Sequence, residues 1–183
     1  MPQIDPTIGY SIIIGFVLLF ATAAVHKLYD LAHFTEIFAA YHLLPESVGR
    51  RLAWLVPCVE LVVAICLLSG AGGRPRAVLV AMAVLVAYAG GLGINLGRGR
   101  RDLDCGCGAA RGRRSIASWM VWRNVFLAVA VGFAALPWTS RALDGADLLT
   151  ILGTVTVGAL LYATVDRLLG DVIPGTIAPR RTS

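Results

Sequence analysis

The stretch Ile8–Val25, with the sequence IGYSIIIGFVLLFATAAV, contains 18 residues and no charged side chain. An α-helix needs about 20 mainly apolar residues to cross the hydrocarbon core of a bilayer, so this stretch is typical of a membrane span. Backbone groups in lipid must be hydrogen-bonded within the segment, which favours a helix. No positive charge precedes the stretch and no small-residue cleavage pattern follows it, so we expect a retained span rather than a signal peptide.

Similar apolar segments recur along the rest of the chain. They predict five spans, at about 8–28, 52–73, 77–97, 115–137 and 147–168. The composition agrees, since 57% of the 183 residues are hydrophobic and 15% are charged. Soluble domains carry roughly 25% charged residues. We therefore predict an all-α membrane protein with one integral-membrane domain, residues 1–183: a polytopic bundle of four core transmembrane helices plus a fifth C-terminal helix.

The polar segments divide unequally between the two membrane faces. Five spans place the segment at about 30–44, the loop 98–114 and the C-terminal tail on one face, and we predict an interfacial helix at 30–44. Twelve Lys and Arg residues belong to this face and three to the other. By the positive-inside rule, the loop is then on the cytoplasmic side of a bacterial plasma membrane. The +5 net charge indicates contact with the lipid bilayer and predicts no nucleic-acid partner.

The loop 98–114 contains the motif Asp104-Cys105-Gly106-Cys107-Gly108 among six arginines. Neighbouring arginines favour the reactive thiolate form of cysteine, and the glycines permit the tight backbone of a strained, exchangeable disulfide. Cys105 and Cys107 are therefore a candidate catalytic pair for thiol–disulfide exchange. A soft metal, copper(I) or zinc, is the competing interpretation, and it needs further ligands. A third interpretation is an incidental pair without chemistry.

Three charged residues lie within the four predicted core spans. Glu60 is in the second span, Arg123 is in the fourth, and Lys27 ends the first. Charges in lipid are expensive and usually pair, so we predict either Glu60–Arg123 or Glu60–Lys27. Such a pair can simply hold helices in register, or it can form a proton or charge site beneath the loop cysteines. Cys58, near the same face, is a possible resolving thiol.

Several short motifs resemble, in order and spacing, the MauE family of methylamine-utilisation membrane proteins, related to DoxX-like and other redox-associated four-helix membrane proteins. The motifs are His26-Lys27-Leu28, Phe34, Tyr41-His42-Leu43-Leu44-Pro45, Pro57-x-x-Glu60, Asp104-Cys105-Gly106-Cys107-Gly108 and Trp119 to Asn124. The resemblance covers about residues 8–136, so the fifth helix lies outside the family's four-helix core.

The resemblance implies a membrane protein that matures the small subunit of methylamine dehydrogenase, which is rich in disulfides. It thereby implies a possible thiol–disulfide oxidoreductase acting on a partner protein with cysteines. The four-helix core also looks like that of vitamin K epoxide reductase-type enzymes, which by analogy suggests a quinone as electron acceptor. Maturation of an exported partner implies an extracytoplasmic loop, opposite to the charge count. The alternative is a non-catalytic assembly or transport factor that binds a soft metal through Cys105 and Cys107.

Overall fold

The computed structural model describes residues 3–100, 103 and 116–172, and α-helices make up most of this part of the chain. The helices are α1 (Pro6–Tyr29), α2 (Leu31–Ala40), α3 (Glu46–Leu52), α4 (Leu55–Ser69), α5 (Arg74–Gly97), α6 (Ser118–Gly132) and α7 (Gly145–Val172). The 3-10 turn Phe133–Ala135 extends α6. Because α3 and α4 form one span, the described part of the chain has five helical stretches that are long and apolar enough to cross a membrane. The predicted all-α polytopic architecture is confirmed.

Helices α1, α4, α5 and α6 pack together as the four-helix core. Their buried faces include small residues, and Ala24 and Ala81 are completely covered. Small side chains let helix backbones approach closely, which drives association in lipid because burying leucine there gains nothing over leaving it among acyl chains. Helix α7 lies outside this core against α1. Ile151 is the buried residue among its described side chains.

Local chemistry sets the helix ends, and several differ from the predicted ones. The second span begins at Glu46 rather than at 52, because the extended backbone of Pro45 (ψ 138°) leads directly into α3. It ends at Ser69, where Gly70 adopts the left-handed conformation (φ 66°) that glycine tolerates. Helix α2 occupies the segment predicted as interfacial, but it ends at Ala40.

Hydrogen bonds and ring contacts hold the segment between α6 and α7 against the beginning of α1. Ile4 exchanges backbone hydrogen bonds with the residues on either side of Trp138. The indole ring of Trp138 packs edge-on against the ring of Tyr10, with 4.9 Å between centroids. The guanidinium carbon of Arg74 lies 3.8 Å from the indole centroid. Gly9 is needed at this contact, since a Cβ atom there would come within 2.3 Å of the indole ring.

Arg141 adds ion pairs and hydrogen bonds at the same end of the bundle. Its Nε donates to Asp5 Oδ2 at 2.8 Å, and its Nη1 donates to Asp147 Oδ2 at 2.6 Å. The hydroxyl of Thr7 donates to Asp147 Oδ1 at 2.9 Å. These bonds tie the first turn of α7 to the first turn of α1.

We expect low pH to weaken the ion pair between Asp5 and Arg141. Hydrogen bonds from the Arg141 guanidinium and the Thr7 amide lower the pKa of Asp5 from 3.8 to about 2. Because the pKa is lower in the folded protein, the stabilisation is full above about pH 4 and is lost as the pH falls towards 2. The thermal midpoint in detergent should therefore fall more steeply below about pH 4 for the wild type than for Asp5→Asn. Equal slopes for the two proteins would contradict this assignment.

Candidate functional site

Helices α1 and α4 bring together a buried ion pair. Lys27 lies in the last turn of α1, and its Nζ donates to Glu60 Oε1 at 2.6 Å. The two side chains are 7% and 1% exposed. A charged side chain inside a membrane protein faces the bundle interior and keeps an opposite charge beside it, because a lone charge in lipid is costly. Of the two pairings predicted for Glu60, the structure has the one with Lys27.

Tyr88 of α5 is a third member of this site, and the sequence analysis did not identify it. Its hydroxyl donates to the same oxygen, Glu60 Oε1, at 2.6 Å. The ammonium of Lys27 also faces two aromatic rings, with its Nζ 5.7 Å from the centroid of Phe34 and 5.5 Å from that of Tyr88. Such cation–π contacts stabilise a desolvated ammonium group. Lys27, Phe34, Glu60 and Tyr88 are called the Glu60 cluster below.

The second carboxyl oxygen of Glu60 is without a donor in the part of the chain that the structure describes. Oε2 is buried and makes no hydrogen bond with any described residue. A carboxylate normally accepts several hydrogen bonds across its two oxygens, and a bare polar atom in an apolar interior is unfavourable. The Glu60 cluster can therefore accept one further donor at Oε2, or it can hold a proton there.

Arg123 belongs to a separate ion pair. Its guanidinium donates to the carboxylate of Asp166 on α7, and the two side chains are 14% and 21% exposed. The rings of Trp119 and Tyr162 flank the guanidinium carbon, with centroids 5.3 and 5.9 Å away. Asp166 lies within the predicted fifth span, 147–168, but only charges of the four core spans were considered for pairing, so the sequence did not identify it as a partner. This pair links the fifth helix to the core.

The loop that carries Cys105 and Cys107 begins and ends at the membrane face where Lys27 closes α1. The two cysteines themselves lie outside the described residues. Within the described part, the amide of Ile116 donates to the carbonyl of Leu103 at 3.0 Å, which brings the two flanks of the loop together. Ile116 is buried with Leu92 and Met120 in an apolar group at the ends of α5 and α6. Because consecutive spans alternate in direction, the Glu60 cluster lies inward from this face.

Cys58 and Cys66 are free, partly buried thiols in α4. Eight residues of helix separate them by about 12 Å, which is too far for a disulfide. Cys58 precedes Glu60 by two positions, so the two side chains point to nearly opposite sides of the helix. The role of Cys58 as a resolving thiol stays a prediction. Among the described residues, no three His, Cys, Asp or Glu side chains are grouped closely enough to hold a metal ion.

Comparison with known proteins assigns the chain to a family. The family model described as methylamine utilisation protein MauE matches residues 5–137. The chain is 37% identical to the methylamine utilization protein MauE of Paracoccus versutus over 91% of this chain and 89% of that one. It is 36% identical to the protein of the same name from Paracoccus denitrificans, over 43% and 42% of the two chains. No solved structure matches the chain. Since both the family model and the first relative cover most of its length, the chain belongs to the MauE family of membrane proteins.

Proposed function

We propose that this protein is a thiol–disulfide oxidoreductase of methylamine utilisation, which helps to form disulfides in a partner protein. The loop pair Cys105 and Cys107 would carry the exchange. The observation that supports the proposal is the Glu60 cluster, a buried group able to hold a proton, which lies inward from the face where that loop begins and ends. The family resemblance implies the partner, the disulfide-rich small subunit of methylamine dehydrogenase.

The proposed reaction starts from a disulfide between Cys105 and Cys107. A thiolate of the partner attacks one sulfur and forms a mixed disulfide, and the partner's second thiolate then displaces the loop cysteine. The partner leaves with a new disulfide, while the loop pair keeps two electrons and two protons as thiols. Restoring the loop disulfide requires a membrane acceptor that takes up both electrons and both protons.

A quinone, suggested by the likeness to vitamin K epoxide reductase-type enzymes, would supply that two-electron, two-proton acceptor. The residues present fit such a group in both of its oxidation states. Glu60 Oε2, which is buried and has no donor among the described residues, would accept from a hydroxyl of the reduced ring. The ammonium of Lys27 has three protons and gives one to Glu60 Oε1, so it would donate another to a carbonyl of the oxidised ring. Tyr88, whose hydroxyl donates to Oε1, would orient the Glu60 carboxylate, and Glu60 would transfer protons between the loop thiols and the ring.

Trapping the mixed disulfide tests the exchange directly. In Cys105→Ser or Cys107→Ser, the remaining loop thiol has no neighbour with which to close a disulfide, so an added thiol oxidant such as diamide can couple it to a cysteine of the partner. Immediate alkylation of free thiols then prevents the partner's second thiolate from displacing the loop cysteine, and one of the two variants should accumulate a partner-linked species. This species should appear on non-reducing gels and disappear with reductant. Cys66→Ser is the matched control, because Cys66 packs against the apolar core and should not alter the reaction. Failure of both loop variants to capture any partner under oxidising conditions would exclude thiol exchange.

The same variants test the competing metal function. Stoichiometric copper or zinc in the purified wild type, lost from the Cys105→Ser/Cys107→Ser double variant, would favour a metal-carrying assembly factor instead. A membrane-impermeant thiol reagent applied to intact cells decides the orientation of the loop. Labelling of Cys105 or Cys107 places the exchange outside the cytoplasm with an exported partner, and protection of both places it inside.

A further inference from the structure

We infer that the quinone of the proposed function, on which this inference rests, enters the Glu60 cluster sideways from the bilayer, between α4 and α5, and that Tyr88 closes this entrance. The side chains of Lys27, Phe34 and Glu60 are buried. Tyr88, in contrast, is only partly buried. Tyr88 is therefore the member of the cluster at which the buried carboxylate comes nearest to the surface of the bundle.

The interface between α4 and α5 is less extensive than the interfaces on either side of it. Helix α1 packs closely along α4 and α6 packs closely along α5, while α4 and α5 share a smaller interface. The hydrogen bond from Tyr88 to Glu60 crosses this interface. Opening it there breaks that hydrogen bond and keeps the buried ion pair of Lys27 and Glu60, which would be far more costly to separate. The bundle therefore opens more easily at Tyr88 than between α1 and α4.

The surroundings of Tyr88 are hydrocarbon rather than water. Helix α5 runs over 24 residues, and Tyr88 lies near its middle. At a similar depth, Val86 of α5 and Val59 of α4 are 56% and 43% exposed. A molecule that enters beside Tyr88 comes from among the acyl chains, where a charged group is costly, so it has to be apolar and uncharged. A quinone meets both requirements.

The ring of Tyr88 covers the cluster on the α5 side. Its centroid lies 5.5 Å from the Nζ of Lys27, and its hydroxyl donates to Glu60 Oε1 at 2.6 Å. A tyrosine side chain can change its rotamer without any movement of the backbone. Such a change would release Oε1 from Tyr88 and uncover the carboxylate, while Lys27 stays bound to it. The hydrogen bond from Tyr88 thus holds the entrance closed, and Tyr88 is a positioning residue.

Carbodiimide labelling of the protein in liposomes tests the entrance without measuring activity. Dicyclohexylcarbodiimide is apolar and adds to a protonated carboxyl group without a leaving group, so mass spectrometry can follow its addition to Glu60. The rate is taken at the low-pH plateau, where it reports access rather than the protonated fraction. Glu60 of the wild type should react with this reagent and not with a carbodiimide that carries a quaternary ammonium. A ubiquinone with a short side chain should suppress the reaction.

A conservative variant tests Tyr88 itself. Tyr88→Phe keeps the ring and removes the hydrogen bond, so it should raise the plateau rate at Glu60 by about two- to tenfold, the factor expected for one hydrogen bond. Tyr10→Phe is the matched control, because Tyr10 packs against Trp138 at the other end of the bundle, and it should leave the rate unchanged. Asp166, which pairs with Arg123 outside the cluster, should react at the same rate in all three proteins.

Several outcomes would overturn the inference. Equal labelling of Glu60 by the charged carbodiimide would mean that the cluster opens to water. No labelling by the apolar reagent, in the wild type or in Tyr88→Phe, would mean that the cluster is closed to the bilayer. An unchanged plateau rate in Tyr88→Phe would show that Tyr88 does not close the entrance, and labelling that ubiquinone does not slow would show that no quinone enters. Failure of the proposed exchange would appear in the mixed-disulfide trapping and not in these rates.

Discussion

Glu60→Ala is expected to lower the free energy of unfolding by about 3–5 kcal/mol, because it leaves one partner of a buried ion pair without the other. The ammonium of Lys27 and the hydroxyl of Tyr88 would lose their shared acceptor while both remain inside the bundle. Denaturation in detergent micelles, followed by far-ultraviolet circular dichroism, measures the change. Glu46→Ala is the control, since its pair with Arg50 is exposed. That variant should change stability by about 0–1 kcal/mol.

A double variant separates the structural role of the Glu60 cluster from its chemical role. Lys27→Met combined with Glu60→Leu removes both charges together and should cost less than Glu60→Ala alone, because no uncompensated charge stays buried. If the cluster transfers protons for the loop cysteines, this folded variant should still form mixed disulfides with the partner. It should nevertheless fail to regenerate the loop disulfide. Normal regeneration in the double variant would leave the cluster with a purely structural role.

Gly9→Ala is expected to destabilise the fold by about 1–3 kcal/mol through overpacking. The added methyl would come within 2.3 Å of the indole ring of Trp138. That ring cannot move aside easily, because its Nε1 donates to the carbonyl of Ala134 at 3.3 Å while Arg74 and Tyr10 pack on it. Thermal unfolding of the purified protein in detergent measures the loss.

Gly15→Ala provides the comparison within the same helix. A Cβ atom at Gly15 meets no atom within 4 Å, so only the helix propensity changes there. Replacing a mid-helix glycine by alanine gains about 0.5–1 kcal/mol. The same substitution six residues apart in α1 should therefore have opposite signs. Equal effects at the two positions would show that the indole contact does not constrain Gly9.

The architecture could be predicted from the sequence because it depends on the lengths of apolar runs. Five uncharged or nearly uncharged segments give five spans, whatever their mutual packing. The pairing of intramembrane charges could not be predicted in this way. Glu60 and Arg123 lie within two different core spans, and the sequence alone permits their contact. The choice depends on which helix faces which: α4 turns Glu60 towards α1 and α5, whereas Arg123 faces α7.

Two further residues depend on contacts that a single sequence does not reveal. Tyr88 lies in a span without charges, and its hydroxyl becomes significant only when α5 packs beside α4. Gly9 is one of several glycines in the apolar spans. The requirement for glycine at this position arises from Trp138, which follows it by 129 positions. In both cases the partner is distant in sequence, so local periodicity carries no sign of it.

The order of charges in the two intramembrane pairs affects how the chain is inserted during synthesis. In each pair the cation is made first: Lys27 precedes Glu60, and Arg123 precedes Asp166. The span containing Arg123 has a mean hydropathy of 1.4, the lowest of the five. Arg123 is the sixth of its 18 residues, so its insertion by the translocon costs up to the roughly 2.5–3.5 kcal/mol of an arginine at the centre of a helix. Its counter-charge leaves the ribosome 43 residues later. The fourth and fifth spans thus enter lipid most favourably together, as a helical hairpin in which Arg123 and Asp166 are already paired. The fifth helix thereby assists the insertion of the four-helix core.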